Sequence, residues 1–282
     1  MTQQDKPVWF ITGCSTGFGR ELARYTLGRG YRVVVTARRP AEIADLVTGH
    51  EASALALELD VTKASDIAAA VAAAEAKFGC IDVLVNNAGV GYFGAIEESE
   101  DAEVRRMFEI NFWGLANMTR AVLPGMRARR SGHIVNISSS GGVRGGPSVG
   151  YYCATKFGLE GLSESLAQEV APLGIKVLIV EPSGFRTDWA GRSANQSPHS
   201  IADYDSTAGA RMRQIRGNSG KQPGDPVRAA ATIVKAVEAP EPPLRLLLGK
   251  VALAGARAKI ELLRHDFEGW AAESEAADFP AS

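Results

Sequence analysis

The sequence predicts an α/β fold: a doubly wound parallel sheet of about seven strands flanked by helices, with a lid-like insertion before the last strand. Three observations carry that expectation. Short strand-like runs alternate with helical patterns along most of the chain, as a sheet built from crossover units requires. The runs are apolar almost throughout, VWFI, VVV and VLIV among them, which is how strands covered on both faces read. A glycine-rich turn joins the first strand to the first helix, and right-handed crossovers then set the winding. Length and composition agree with this. A chain of 282 residues, 45% hydrophobic and 22% charged, suits a single domain spanning residues 1–282 with a real core.

Composition also excludes some function classes. A net charge of −1 offers no basic field for nucleic acid. The longest apolar runs are far too short to span a bilayer, and MTQQDKPVWF has no basic-then-apolar leader. No nucleic-acid or membrane partner is therefore expected, and the expected location is cytoplasmic. Cys14, Cys80 and Cys153 form no CxxC, and the four His are scattered, so neither a disulfide framework nor a metal is expected.

Residues 8–12 read as the first strand. Gly13, Gly17 and Gly19 follow as TGxxxGxG. Such a turn either lets backbone N–H groups approach a pyrophosphate at a helix N-terminus or is simply a tight turn. Leu22, Thr26 and the stem of Arg29 keep helical spacing up to a Gly30 cap. Residues 32–36 are the second strand and end in Ala37, Arg38 and Arg39. Here a dinucleotide fold reads the adenosine ribose. No carboxylate is present to accept from a free 2′-hydroxyl, and the guanidinium groups favour a 2′-phosphate, or else are a solvated loop end.

Residues 54–59, closed by Asp60 and Val61, are the third strand, and a helix at 65–78 ends at Gly79. Residues 81–85 are the fourth strand and run into Asn86, Asn87, Ala88 and Gly89, which suit either close passage of a ligand or a plain turn. A long helical segment, 101–126, carries Asn111, which is either simply exposed, as a mid-helix Asn usually is, or, as its neighbours Ile110, Phe112 and Trp113 argue, buried and in need of a partner. Strands at 133–137 and 176–180 bracket a helix at 151–173 whose Leu162, Leu166, Val170 and Leu173 form a core stripe. Residues 188–224 break the pattern and read as a lid or as surface decoration, with a helical piece at 208–215. Asp225 and Pro226 open a helix to about residue 237. Residues 244–248 are the seventh strand, and a terminal helix at 252–272 lies in a helical tail, 252–282.

The stretch IVNISSSGGVRGGPSVGYYCATK organises the rest. It reads as a buried strand, a glycine-rich loop and the first turn of a helix. Tyr152 and Lys156 are four residues apart and share a helical face. Ser139 ends the strand, where the loop can fold it back toward them. A phenol can trade a proton with an alcohol or carbonyl oxygen, an ammonium can lower the phenol's pKa, and a hydroxyl can hold the oxygen.

The motifs TGCSTGFG, Asp60-Val61, NNAG, Asn111, NISSSGG, YCATK and the loop at 182–187, in that order, resemble the short-chain dehydrogenase/reductase family. The resemblance runs over residues 8–187 and more loosely to 248. It implies a Rossmann-type NAD(P)-binding domain. It implies that Tyr152, and not Tyr151, is the general acid/base, that Ser139, thirteen residues earlier, is the catalytic serine, and that Lys156 holds the nicotinamide ribose. Asn111 would organise a proton-relay water. Gly13, Ser15, Thr16, Gly17, Phe18 and Gly19 would form the pyrophosphate turn, Arg38 would bind the 2′-phosphate, and Asp60 and Val61 would touch adenine. Asn87, Ala88 and Gly89 would lie on the ribose side, and Pro182, Gly184 and Thr187 on the nicotinamide loop. Ser183 departs from the common Gly, and Thr155 from the common Ser. FGRELA and SGFRTDW resemble hydroxysteroid and retinol dehydrogenase-like members of the family.

The expected function is interconversion of a secondary alcohol and a ketone or aldehyde by hydride transfer, with NADP(H) preferred and NAD(H) possible. The alternatives are a non-catalytic NAD(P)-binding sensor or scaffold and an NAD-dependent dehydrogenase. The substrate is expected to be a small apolar molecule walled by residues 90–94, 141–149 and 188–224. Tyr92, Phe93, Val143, Val149, Phe185 and Trp189 are either its apolar walls or core. The family's habit implies a homodimer or homotetramer formed through the helices at 101–126 and 151–173.

Overall fold

The computed structural model describes residues 6–191 and 193–279. Its strands are β1 (Val8–Ile11), β2 (Arg32–Ala37), β3 (Ala54–Glu58), β4 (Val83–Asn86), β5 (Gly91–Phe93), β6 (Gly132–Ile137), β7 (Ile175–Pro182), β8 (Ala194–Gln196) and β9 (Arg245–Leu248). Its helices are α1 (Gly17–Gly28), α2 (Ala44–Val47), α3 (Ala64–Phe78), α4 (Asp101–Phe108), α5 (Leu115–Arg129), α6 (Gly150–Val170), α7 (Ala210–Gly217), α8 (Pro226–Val237), α9 (Lys250–Gly269) and α10 (Ala271–Glu275).

Seven strands form one parallel sheet in the order β3-β2-β1-β4-β6-β7-β9. This is the doubly wound Rossmann-type sheet expected, and every expected strand is present. The order reverses between β1 and β4, the switch point where such sheets open a crevice at their carboxyl ends. β1 shows why the sheet needs helices on both faces. Trp9 and Ile11 pack on one side with Leu22 and Leu27 of α1 and Ile233 of α8. Val8 and Phe10 pack on the other with Ile67 of α3, Met118 of α5 and Leu166 of α6. A strand with apolar residues at every position has no polar face to give to water.

Three features differ from the sequence pattern. The segment expected as one helix from 101 to 126 is α4, a π-helical turn at Glu109–Gly114, and α5. A π-turn inserts one residue into the helical ladder and often marks a functional position; here it carries Asn111. Second, β5 and β8 form a separate two-stranded sheet. It needs glycine at 91, where a Cβ would lie 2.8 Å from Ala194 Cβ. Tyr92 and Phe93, weighed as pocket walls, are instead buried core there. Third, the 188–224 segment has structure of its own. It contains β8 and α7, and its end is joined to the chain after β7 by a bridge between Phe185 and Gly224. The terminal helix begins at Lys250, and its Ala252 and Ala256 are buried.

Candidate active site

A cleft of about 1210 Å³ runs along the carboxyl ends of the strands. Its first half is the glycine turn. Gly13 and Gly17 take φ of +71° and +61°, a region glycine enters without steric cost. Gly19 does not line the cleft. A Cβ there would clash with the Asn87 amide and the Gly13 carbonyl, so this glycine allows the turn to pack on the chain after β4. That packing is held by hydrogen bonds: Asn87 Nδ2 donates to the Thr12 and Gly13 carbonyls at 2.8 and 3.0 Å. Thr12 Oγ1 accepts from the Asn87 and Ala88 N–H groups, each at 2.9 Å. The N-cap of α1, Thr16, makes no side-chain cap bond, which leaves the helix's first N–H groups open to an anion.

Ser15, Thr16, Gly17, Phe18, Arg38, Asp60, Val61, Asn87, Ala88 and Gly89 all line this half. Arg39 is tied to Glu42. Arg38 makes no hydrogen bond or ion pair among the described residues and borders the cleft. Asp60 accepts from the N–H and hydroxyl of Thr62 at 3.0 and 2.7 Å.

The second half holds the three side chains singled out from the sequence. β6 delivers Ser139, whose Oγ accepts the Gly141 N–H at 3.0 Å and caps a 3₁₀ turn. The first turns of α6 deliver Tyr152 and Lys156, both buried. Lys156 Nζ donates to the Ile137 carbonyl at 2.8 Å and lies 5.8 Å from the centre of the Tyr152 ring. The Trp189 ring packs against that of Tyr152 at a tilt of 55°, with centroids 4.9 Å apart. Pro182, Gly184 and Thr187 close the same end.

The electrostatics differ from the simple expectation that the ammonium lowers the phenol's pKa. Burial pushes the Tyr152 phenol above its ordinary value, and a hydrogen bond from Ser139 opposes that push. Burial also brings Lys156 down to about 8, against the charge of Glu160. In this low-dielectric corner desolvation is the largest influence on the phenol, and the ammonium is aimed at a backbone carbonyl.

Asn111 does not line the cleft. Its Oδ1 accepts from Val90 N–H at 2.8 Å, while Nδ2 donates to the Val90 carbonyl at 2.9 Å and to Thr155 Oγ1 at 3.2 Å. It therefore clamps the strand that follows Gly89 to α6. Below the serine loop lies a group the sequence reading missed. Ser138 donates to Glu160, and Arg245 of β9 joins Glu160 and Glu181, which are 4% and 1% exposed. Burial pushes the Glu160 carboxyl up to about 7; Ser138 opposes this and Glu181 adds to it. Of the residues weighed as walls, Val149, Phe185 and Trp189 line the cleft, whereas Tyr92, Phe93 and Val143 do not. Arg144 and Gln222 line it from segments expected as walls, whereas Gly255 lines it without any local signal; only the tertiary fold brings it there.

Among the described residues no group of three or more His, Cys, Asp or Glu could hold a metal ion, and no helix is long and apolar enough to cross a membrane.

The model of the short chain dehydrogenase family matches residues 7–198. The chain belongs to that family. It is 40% identical over 265 residues to the oxidoreductase BOA17 of Botryotinia fuckeliana, covering 93% of this chain and 96% of that protein. It is 39% identical over 240 residues to the 3-ketodihydrosphingosine reductase of Bacteroides thetaiotaomicron, covering 85% and 86%. Retinol dehydrogenase 8 of Homo sapiens is 35% identical over 256 residues, covering 83% and 79%. Among solved structures, a short-chain dehydrogenase from Streptomyces avermitilis superposes with a TM-score of 0.91 at 43% identity, covering 97% of this chain and 99% of that one. A Burkholderia phymatum member in complex with NAD gives 0.80 at 26% identity, covering 100% and 99%. A metagenomic member in complex with NADP gives 0.60 at 35% identity, covering 64% and 83%. This short-chain dehydrogenase is thus an oxidoreductase of the nicotinamide-dependent kind that acts on CH–OH groups.

Proposed function

We propose that this enzyme interconverts an apolar ketone or aldehyde and its alcohol, with NADP(H) preferred and Tyr152 as general acid/base. The observation that carries the reading is the convergence of Ser139, Tyr152 and Lys156 at one end of a cleft whose other end is the glycine turn.

The residues present fit a dinucleotide. The open N-terminus of α1 and the positive-φ glycines suit a pyrophosphate, and Arg38, which makes no ion pair among the described residues and whose charge reaches Asp60, suits a 2′-phosphate. Asp60 and Val61 would flank adenine, Asn87 to Gly89 the ribose, Lys156 the nicotinamide ribose, and Gly184 and Thr187 the ring. The nicotinamide, when bound, would supply or receive the hydride.

The protein's own part is proton management. A buried phenol held in its neutral form is the species that can give a proton to a developing alkoxide. Tyr152 donates that proton during reduction, and positioned transfer of this kind contributes about 10²–10⁴-fold in rate. Ser139 donates a hydrogen bond to the same oxygen as charge builds on it. Lys156 supplies the nearby positive charge, and its remaining N–H groups would hold the ribose. Asn111 spends its side chain on positioning, so any relay water falls to its backbone.

The similarity to a 3-ketodihydrosphingosine reductase and to a retinol dehydrogenase supports an apolar substrate, as do Val149, Trp189 and Ile215 along the cleft. Residues 188–224 would act as the lid of a single-domain enzyme, because Trp189 touches the Tyr152 ring and Arg211 and Gln214 border the cleft. A cytoplasmic homodimer or homotetramer is proposed with this reading. Trp113 of the π-turn and Phe157 of α6 are exposed on the expected interface helices, and sedimentation would measure the assembly.

The test is titration of the purified protein with NADPH and NADH, followed by nicotinamide fluorescence. Tight NADPH and weak NADH binding is expected. The reverse order would transfer the enzyme to NAD, and binding of neither would overturn the reading.

A further inference from the structure

Gln222 lies at the end of the 188–224 segment and borders the cleft, although the residue is only 9% exposed and its Oε1 is buried. Its Oε1 has no hydrogen-bond partner, and its amide makes no hydrogen bond to any described residue. Buried amides are almost always paired, and leaving one unpaired is costly. The position is not loose. The Gln222 carbonyl accepts from Arg186 Nε at 2.8 Å. Gly224 N–H donates to the Gly184 carbonyl at 3.1 Å, and Arg186 N–H to the Gly224 carbonyl at 3.0 Å. Pro223 restricts the backbone of the residue before it. Gln222 Cγ stands 3.4 Å from where a Gly184 Cβ would be, so the stem that carries the unpaired amide packs against Gly184.

We propose that Gln222 receives the carboxamide of the nicotinamide ring, so that the end of the 188–224 segment is part of the cofactor site. This rests on the reading above that the chain binds a nicotinamide dinucleotide. A carboxamide offers one acceptor and two donors, and an unpaired glutamine amide offers the same set, so the two groups can pair acceptor to donor along one edge. A phosphate or carboxylate would satisfy only the donors and would leave Oε1 as it is. The glutamine is a positioning residue. It sets the orientation of the ring about its glycosidic bond and takes no part in the proton transfer.

The experiment is calorimetric titration of the wild type, Gln222→Leu and Gln222→Met with three probes. These are NADP⁺, the NADP⁺ analogue carrying an acetyl group in place of the carboxamide, and 2′-phospho-ADP-ribose, which lacks the ring altogether. The wild type should prefer NADP⁺ to the acetyl analogue, because the acetyl group has no N–H to give Oε1. Both variants should bind NADP⁺ about tenfold more weakly and should lose that preference, while binding 2′-phospho-ADP-ribose as the wild type does. Equal weakening toward all three probes would overturn the proposal, since Gln222 would then support the loop or contact the diphosphate. Unchanged NADP⁺ affinity in both variants would also overturn it, as would a change confined to the KM of the carbonyl substrate. If one variant fails to fold, the other decides. A wild type that binds none of the probes would sink the dinucleotide reading itself, whereas normal wild-type binding with unaffected variants would sink only the role of Gln222.

Discussion

The two ends of the cleft are built on different principles. At the glycine turn the groups offered to a ligand are backbone N–H groups and space. What lies beneath is apolar: Trp9, Ile11, Leu22, Val33 and Val35 pack without a polar atom on their contact faces apart from the Trp9 indole. At the Ser139–Tyr152 end the groups offered are side chains, and their support is a buried polar web. Asn86 Nδ2 donates to Thr119 Oγ1 at 3.1 Å and to Asn136 Oδ1 at 2.9 Å, and Asn136 Nδ2 donates to Ser163 Oγ at 2.8 Å. Ser138, Glu160, Glu181 and Arg245 form the second strand of that web. Backbone recognition needs only the absence of a Cβ, so ordinary core packing can carry it. Side-chain chemistry needs each group held in one rotamer, and hydrogen bonds from below do that at the cost of burying charge.

The comparison sharpens into expected effects of decreasing size. Tyr152→Phe removes the proton donor while keeping the ring against Trp189, so kcat should fall by at least about 10³-fold. NADPH affinity should stay within about threefold of wild type, well under the 1.4 kcal/mol that a tenfold change represents. Steady-state kinetics showing substantial residual turnover would refute the role of Tyr152.

Arg245→Met leaves Glu160 and Glu181 buried without their shared cation, so it should cost about 3–5 kcal/mol of stability. On the apolar side Leu22→Ala should cost about 2–5 kcal/mol through lost burial and a cavity. Chemical denaturation measures both. The buried carboxyl also makes stability depend on pH. In the folded chain the Glu160 carboxyl is raised from 4.5 to about 7, so between those values the native state holds a proton that the unfolded chain has released. Its contribution to stability is therefore fully present below about pH 4.5 and is lost as pH rises toward 7. That fall should persist in Leu22→Ala and flatten in Glu160→Gln. A wild-type curve with no such fall would show that Arg245 keeps both carboxylates ionised.

Arg38→Ala should reduce the NADPH-to-NADH affinity ratio by about tenfold, the value of one charge-assisted contact, and the same fluorescence titration reads it. An unchanged ratio would make Arg38 a surface charge.

Much of this was legible in the residues. The seven core strands were readable because their apolar runs have no polar face, and the glycine turn because three glycines stand between a strand and a helix. Tyr152 and Lys156 were readable together because helical spacing alone puts them on one face. Ser139 could be placed at the strand end, although its approach to the tyrosine depends on the loop. Other features could not be read. The π-turn at Asn111 leaves no mark in an otherwise helical pattern. β5 and β8 are three residues each and exist only because they find one another across a separation of about a hundred residues.

The residues alone carried the parallel sheet and its winding, which periodicity expresses directly, and the resemblance of ordered motifs that pointed to the family and to Ser139, Tyr152 and Lys156 as candidates. That burial is the main influence on the Tyr152 phenol emerges only once the chain is folded. Folding alone joined Glu160, Glu181 and Arg245 beneath the serine loop and left Gln222 Oε1 unpaired at the border of the cleft. Such outcomes depend on desolvation and on contacts between residues far apart in the chain, and no local pattern records either.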